Sequence, residues 1–129
     1  MSAKKTIIVV DDHADMVTVT RTILETKGYS VIPATSAEEL FYRLDEQRPD
    51  LILLDIMMPD MDGLRALRQI RGRPDTSSVP VMLVTAKVQY QDILAGYKEG
   101  ADYYLTKPFT SSQLLNGVNI LLKDGDRPS

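Results

Sequence analysis

The sequence predicts an α/β protein built on a parallel β-sheet. Short runs of consecutive apolar residues recur at intervals of about 20 to 30 residues, a spacing that suits β–α–β crossovers. Continuous apolar runs are typical of strands buried on both faces. Each interval between them carries apolar residues at helical spacing. The five runs are Ile7–Val10, Val31–Ile32, Leu51–Leu54, Val81–Val84 and Tyr103–Leu105.

The intervals predict five helices that alternate with the strands. Ser36 followed by Glu39 predicts a capping box at the start of the second helix, and Pro49 marks its end. Gly28 and Gly100 are the predicted stops of the first and fourth helices. The fifth helix is predicted to begin near Thr110 or Ser111. The predicted core stripes of the first, third, fourth and fifth helices are Met16, Val19, Ile23 and Leu24; Leu64, Leu67 and Ile70; Tyr90, Ile93, Leu94 and Tyr97; and Leu114, Val118, Leu121 and Leu122.

Composition excludes several classes of protein. The 129 residues correspond to one domain, and 43% hydrophobic with 26% charged residues is typical of globular proteins. The absence of cysteine excludes disulfides, thiolate catalysis and zinc-thiolate sites. A net charge of −3 argues against nucleic acid as the main partner. No apolar run approaches the ~20 residues of a membrane span, and the start lacks a signal peptide, so we expect a cytoplasmic protein.

Polar residues follow the apolar runs, at the edge where open α/β sheets bind ligands. Asp11 and Asp12 follow the first run, Asp55 the third, Thr85 the fourth and Lys107 the fifth. Neighbouring carboxylates repel one another, and a divalent cation relieves that repulsion. Oxygen ligands without His or Cys favour Mg²⁺ or Mn²⁺. A hydroxyl and an ammonium further along this edge suit phosphoryl oxygens.

Taken in order, these motifs resemble the receiver domain of two-component response regulators, over about residues 5 to 122. The resemblance implies a flavodoxin-like (βα)5 fold, a doubly wound five-stranded parallel sheet with strand order 2-1-3-4-5, which the family itself exemplifies. It implies a receiver domain over residues 1–123 and a polar tail or linker stub over residues 124–129. It also implies a phosphorylation-dependent signalling switch rather than a turnover enzyme. The motifs are Asp11-Asp12, Asp55 to Gly63, Thr85-Ala86 and Lys107-Pro108-Phe109.

The resemblance assigns Asp55 as the phosphoacceptor. The donor would be a sensor histidine kinase or a histidine phosphotransfer protein, and the product an aspartyl phosphate. Asp12 and Asp55 would bind Mg²⁺, or Mn²⁺, directly together with the backbone carbonyl of Met57. Asp11 would act mainly through a bridging water.

The resemblance also assigns the switch. Thr85 and Lys107 would hold phosphoryl oxygens, and Tyr104 matches the family's switch aromatic. A cis peptide bond is expected between Lys107 and Pro108. Phosphorylation would then change the surface of the fourth helix, fifth strand and fifth helix. That surface is predicted to include Gln91, Asp92, Lys98, Gln113, Asn116 and Ile120.

Two further positions are expected to set the lifetime of the phosphoryl group. In the family, the residues at Met57 and Lys87 flank the line along which water attacks. Met57 has no group that orients a water, and a protonated Lys87 cannot act as a general base. The expected result is slow self-dephosphorylation. The output would be a downstream protein target or an output domain, and the family allows a phosphorylation-dependent dimer.

Alternative functions are weakened by particular residues. A phosphohydrolase would need a second acid two residues after Asp55, where Met57 stands. A nucleotide or flavin binder would need a glycine-rich first turn, where His13 follows the two acids. A degenerate receiver would lack a site position, and none is missing. His13 is expected to be a loop residue at the pocket mouth. The arginines at positions 65, 68, 71 and 73 are expected to form a solvated face.

The residues after the fifth helix bear on the output domain. Only seven remain, too few for a helix-turn-helix, and the fifth helix lacks the arginine-rich pattern of dimerising winged-helix regulators. The sequence is therefore expected to be a stand-alone receiver or one excised from a longer regulator.

Overall fold

The predicted parallel sheet is confirmed. A computed structural model describes residues 4–59, 62–86 and 89–122. Numbered in chain order, its five strands pair in parallel in the order 2-1-3-4-5, which is the predicted order. The strands are β1 (Thr6–Val10), β2 (Ser30–Ala34), β3 (Leu51–Leu54), β4 (Val81–Thr85) and β5 (Tyr103–Thr106). The helices are α1 (Ala14–Thr26), α2 (Ala37–Glu46), α3 (Gly63–Gly72), α4 (Tyr90–Lys98) and α5 (Ser111–Leu122).

The core has two layers, one on each face of the sheet. Ile8 and Val10 of β1 face a layer that includes residues of α2 and α3, whereas Ile7 and Val9 face a layer with α1 and α5. Side chains alternate in this way because successive strand residues point to opposite faces. All four residues of β3 are buried, as the continuous apolar run predicted.

The predicted helix ends are largely confirmed. The hydroxyl of Ser36 accepts a hydrogen bond from the backbone N–H of Glu39 at 3.0 Å. The carboxylate of Glu39 accepts from the N–H of Thr35 at 2.7 Å, one residue before the cap, so the capping box is shifted by one position. The helix α2 ends before Pro49, as expected. No helix within the described residues is both long enough and apolar enough to cross a membrane.

The predicted core stripe of α1 is confirmed in part, and that of α4 is largely wrong. In α1 Leu24 is buried and Ile23 packs against the core, as predicted, but Val17 and Thr20 are also buried and Val19 is 50% exposed. Hydropathy alone ranks Thr20 as polar. Thr20 is nevertheless buried, because a threonine presents a methyl group as well as a hydroxyl. In α4 three of the four predicted residues, Tyr90, Leu94 and Tyr97, are exposed, whereas Ile93 is half-buried and Gly96 is buried. The stripes of α3 and α5 are largely confirmed.

The expectation of a solvated arginine face holds for Arg65 and Arg68, which are exposed, but not for Arg71 and Arg73, which are half-buried. Arg68 pairs with Glu99, and Arg71 pairs with Asp102. Arg73 pairs with Asp45 and Asp75. The acids that pair with these arginines are distant in sequence for the most part, so helical phase could not reveal them. These guanidinium groups bind carboxylates of the same chain.

Candidate functional site

The fold brings the predicted acids together at one edge of the sheet. β1 and β3 are neighbouring parallel strands, so Asp11 and Asp55 follow them side by side. The N–H of Asp55 donates to the carbonyl of Val10 at 3.0 Å, which continues the ladder into the site. The N–H of Asp11 donates to the carbonyl of Ala34 at 3.1 Å. Backbone hydrogen bonds therefore hold both acids at the carboxyl edge.

Asp55 is a buried and oriented carboxylate, with 4% of the residue exposed. Its Oδ1 accepts from the N–H of Met57 at 3.0 Å, and its Oδ2 accepts from Nζ of Lys107 at 3.0 Å. Burial raises the pKa of Asp55, and the hydrogen bonds from Met57 and Lys107 offset only part of that rise. Because the carboxylate is shielded from water, its charged neighbours act on it more strongly than they would in solvent.

Lys107 joins two of the acids. Its Nζ donates to Oδ2 of Asp11 at 2.6 Å as well as to Asp55. Burial by itself would lower the pKa of Lys107, but the hydrogen bonds to Asp11 and Asp55 outweigh it and raise the pKa. The backbone N–H of Lys107 donates to the carbonyl of Thr85 at 2.8 Å. The peptide bond between Lys107 and Pro108 is cis, as expected. Lys107 is thus a fixed cation between the carboxylates.

The acids also form a cluster suited to a cation. One ligand atom from each of Asp11, Asp12, His13 and Asp55 lies within 4.8 Å of the others. Oδ1 of Asp12 is buried and accepts no hydrogen bond from any described residue. His13 lies at the mouth of the cluster, with its Nδ1 3.2 Å from Oδ1 of Asp11 and 3.4 Å from Oδ1 of Asp12. The donor set fits Mg²⁺ or Mn²⁺, although an exposed imidazole adds one nitrogen to the oxygen set that the sequence indicated.

Gly63 positions the loop that carries Asp55, a role that the sequence analysis did not assign. A Cβ at this position would lie 2.4 Å from Cα of Ile56 and 2.7 Å from the carbonyl oxygen of Asp55. The N–H of Gly63 donates to the carbonyl of Ile56 at 2.8 Å, and Met57 pairs with Asp62 in a short antiparallel bridge. The sequence signal was a glycine at the first helical position, directly after an Asp N-cap.

The remaining predicted residues lie around this centre. Thr85 is fully buried at the carboxyl end of β4 and pairs with Thr106 of β5. Tyr104 is half-buried on the face of the sheet that carries α2 and α3, whereas Tyr103 lies on the opposite face. Met57 is 53% exposed beside Asp55. Lys87 lies outside the described residues, so its predicted role has no structural account.

A five-stranded doubly wound sheet with an Asp–Lys centre at its carboxyl edge defines a class of signalling domain, and sequence comparison identifies it. The chain belongs to the response regulator receiver domain family, whose model matches residues 7–119. The chain is 38% identical over 119 residues to the alkaline phosphatase synthesis transcriptional regulatory protein PhoP of Bacillus subtilis, which covers 92% of this chain and 49% of that protein. The chain therefore spans about half the length of this regulator.

Other relatives match the chain over nearly their whole length. Protein PilH of Pseudomonas aeruginosa is 35% identical over 116 residues, covering 90% of this chain and 96% of that protein. The receiver domain of the Francisella response regulator 1452 superposes with a TM-score of 0.88 at 30% identity, covering 95% of this chain and 99% of that one. The Vibrio cholerae chemotaxis protein CheY4 superposes with a TM-score of 0.89 at 26% identity, covering 93% and 100%. Fold and family are thus those of a receiver.

Proposed function

We propose that this chain is a phosphorylation-dependent switch in which Asp55 accepts a phosphoryl group from a sensor histidine kinase or a histidine phosphotransfer protein. The observation that carries the proposal is the buried Asp55 carboxylate, hydrogen-bonded to Lys107 at 3.0 Å beside two further acids. In this reaction a carboxylate oxygen of Asp55 attacks phosphorus. The bond between phosphorus and the donor's imidazole nitrogen breaks, and that nitrogen keeps the electron pair.

Backbone and side-chain groups of the site have different roles in this transfer. The N–H of Met57 fixes one oxygen of Asp55, which orients the carboxylate before the donor arrives. The ammonium of Lys107 offsets the negative charge that three phosphoryl oxygens bring next to a carboxylate. The hydroxyl of Thr85 would bind one of these oxygens. The raised pKa of Lys107 keeps it charged throughout the physiological range.

A divalent cation completes the proposal. Asp12, Asp55 and the backbone carbonyl of Met57 would hold Mg²⁺, or Mn²⁺, and Asp11 would contact it mainly through water. The buried Oδ1 of Asp12, which accepts no hydrogen bond from the described residues, supports this assignment because a buried carboxylate oxygen normally has a partner. The bound ion would supply positive charge to the phosphoryl oxygens.

The switch and the partners belong to the same proposal. Thr85 and Tyr104 would transmit phosphorylation to the surface of α4, β5 and α5, where Ile120 is 50% exposed. That surface would contact a downstream protein, an output domain or, after phosphorylation, a second copy of the chain. We assign residues 1–123 to the receiver, residues 124–129 to a tail or linker, and the site of action to the cytoplasm, without direct contact to nucleic acid or membrane.

The lifetime of the phosphoryl group is assigned to Met57 and Lys87. The exposed thioether of Met57 is only a weak hydrogen-bond acceptor and cannot orient an attacking water. The double variant Met57→Asn with Lys87→Glu places an amide and a carboxylate along the line of attack. Phosphate loss at fixed pH and Mg²⁺ concentration should be faster in this variant than in the wild type. An equal or slower rate would show that these positions do not set the lifetime.

Intact-mass measurement tests the phosphoacceptor. With acetyl phosphate and Mg²⁺ the wild type should gain one phosphoryl group, and with EDTA it should gain little. Asp55→Asn should gain none, and Asp12→Ala should lose most of the dependence on Mg²⁺. Asp50→Asn is the matched control, because Asp50 binds the N–H of Thr6 at the opposite edge of the sheet, and it should label like the wild type. Full labelling of Asp55→Asn would refute the assignment.

A further inference from the structure

The helix α4 packs on the sheet through a glycine. Gly96 is the only buried residue of α4, a helix that the structure describes in full. A Cβ on Gly96 would lie 2.7 Å from Cδ1 of Leu83 and 3.3 Å from two ring carbons of Tyr104. Leu83 and Tyr104 are register partners on β4 and β5, so their side chains together form the surface on which Gly96 lies. The backbone of α4 therefore approaches these side chains as closely as the absence of a Cβ permits.

The two ends of α4 are held differently. Beyond its C-terminus, Glu99 binds the guanidinium of Arg68 at 2.7 Å and 3.2 Å. The carbonyl of Gly100 accepts two hydrogen bonds from Arg71, at 2.8 Å and 3.1 Å. At the N-terminus, the cap residue Gln89 makes no side-chain capping bond. The arginines of α3 thus hold the C-terminal end of α4, and within the described residues no side-chain cap holds the N-terminal end.

From this arrangement we propose that Gly96 is a positioning residue for the switch, and that α4 tilts about it as a pivot. Tyr104 forms half of the surface beneath Gly96, and the other residues of α4 are at most half-buried, so a displaced ring loosens the closest contact between α4 and the sheet and allows α4 to tilt. The fastened C-terminal end stays in place and the N-terminal end, which follows the carboxyl edge of β4, moves. This inference rests on the proposed function, because it explains how a change at Tyr104 would reach the surface of α4.

The test compares two glycine substitutions in the full chain. Gly96→Ala places a methyl group between Leu83 and Tyr104. Gly117→Ala is the matched control: it lies in the middle of α5, where a Cβ would meet Cε of Met82 at 2.8 Å and the ring of Tyr103 at 3.0 Å. Both variants gain helix propensity and both meet a flexible side-chain end and a tyrosine ring. Gly96→Ala disturbs α4 on the face of the sheet that carries Leu83 and Tyr104, whereas Gly117→Ala disturbs α5 on the opposite face.

Amide hydrogen exchange is measured with and without beryllofluoride and Mg²⁺. Without beryllofluoride, Gly96→Ala should speed exchange over residues 91–95 by about fivefold, because the displaced helix opens more readily. It should also reduce the change that beryllofluoride produces in α4 to less than half of the wild-type change. Gly117→Ala should leave both quantities near the wild type. Labelling of Asp55 by acetyl phosphate should be unchanged in both variants, because neither glycine lies at the acid cluster.

A rescue variant separates positioning from general damage. Leu83→Val removes the Cδ1 atom that the new methyl group would meet at 2.7 Å. Adding it to Gly96→Ala should restore the exchange of residues 91–95 and the beryllofluoride response, and it provides a folded variant if Gly96→Ala alone does not fold. Equal effects of the two glycine substitutions, no effect of Gly96→Ala, or failure of the rescue would each overturn the inference. A wild type that acetyl phosphate does not label would instead refute the proposed function, and the exchange measured without beryllofluoride would still test the pivot.

Discussion

The helices α3 and α4 lie on the same face of the sheet and have similar lengths, yet they are built differently. α3 buries Ala66, Leu67 and Ile70, and its first residue touches the backbone of the Asp55 loop. α4 buries one glycine and exposes Tyr90 and Leu94. The difference shows that an apolar stripe at helical spacing does not establish which side of a helix is buried. α3 is a fixed support for the site, whereas α4 is attached at the periphery.

An arginine of α3, Arg71, holds the segment that follows α4. Arg71 donates to the carbonyls of Gly100 and Val79 and to the carboxylate of Asp102, which in turn accepts from the N–H of Val81. One guanidinium therefore ties the end of α3 to the start of β4 and to the segment between α4 and β5. Because hydrogen bonds to a charged group are stronger than neutral ones, this contact replaces part of the apolar packing that α4 lacks.

The largest expected difference between the two helices is in apolar packing. Leu67→Ala should lower the free energy of unfolding by about 2–5 kcal/mol, because it leaves a cavity in the core. Leu94→Ala should change it by less than about 0.5 kcal/mol, because Leu94 is 41% exposed. Urea unfolding of the two variants measures both values. Similar losses would contradict the contrast between a buried α3 and a peripheral α4.

The second difference concerns the two glycines of α3. Gly63→Ala should cost about 1–3 kcal/mol, since its Cβ would meet backbone atoms that cannot rotate away, and it should slow the labelling of Asp55. Gly72→Ala is the control, because a Cβ there meets no atom within 4 Å. It should be neutral or stabilising by up to about 1 kcal/mol. Unfolding curves and acetyl phosphate labelling report the two effects, and normal labelling of Gly63→Ala would contradict the positioning role of Gly63.

The smallest expected difference lies in the arginines that join the helices. Arg71→Gln should cost about 1 kcal/mol, because partly buried carbonyls lose a charged donor. Arg68→Gln should cost less than Arg71→Gln, because the pair that Arg68 forms with Glu99 is largely exposed and screened by solvent. Thermal unfolding at low salt ranks the two variants. A larger loss for Arg68→Gln would show that the Glu99 pair, and not Arg71, is the main fastening of α4.

The site could be predicted from sequence to the extent that its residues follow strands. Asp11 and Asp55 stand directly after apolar runs and Lys107 two residues after one, and the parallel order of the strands brings them to one edge. The hydrogen bonds from Lys107 to both acids agree with that expectation. Gly63 could not be assigned in this way, because the need for a glycine comes from the approach of two backbone segments that are separate in sequence.

The sequence by itself determined the fold class and the acids at the carboxyl edge, since these follow from local apolar periodicity and from residues next to strand ends. The strand order came only from the family resemblance of those motifs. Only the tertiary structure decided which face of α4 is buried and that Val17 and Thr20 of α1, rather than Val19, lie in the core. In α4 the side chains of Leu83 and Tyr104 occupy the space beneath the helix, and a glycine fits there better than Tyr90 or Leu94. Hydropathy ranks each residue by its own transfer free energy, whereas burial depends on the volume that neighbouring elements leave open.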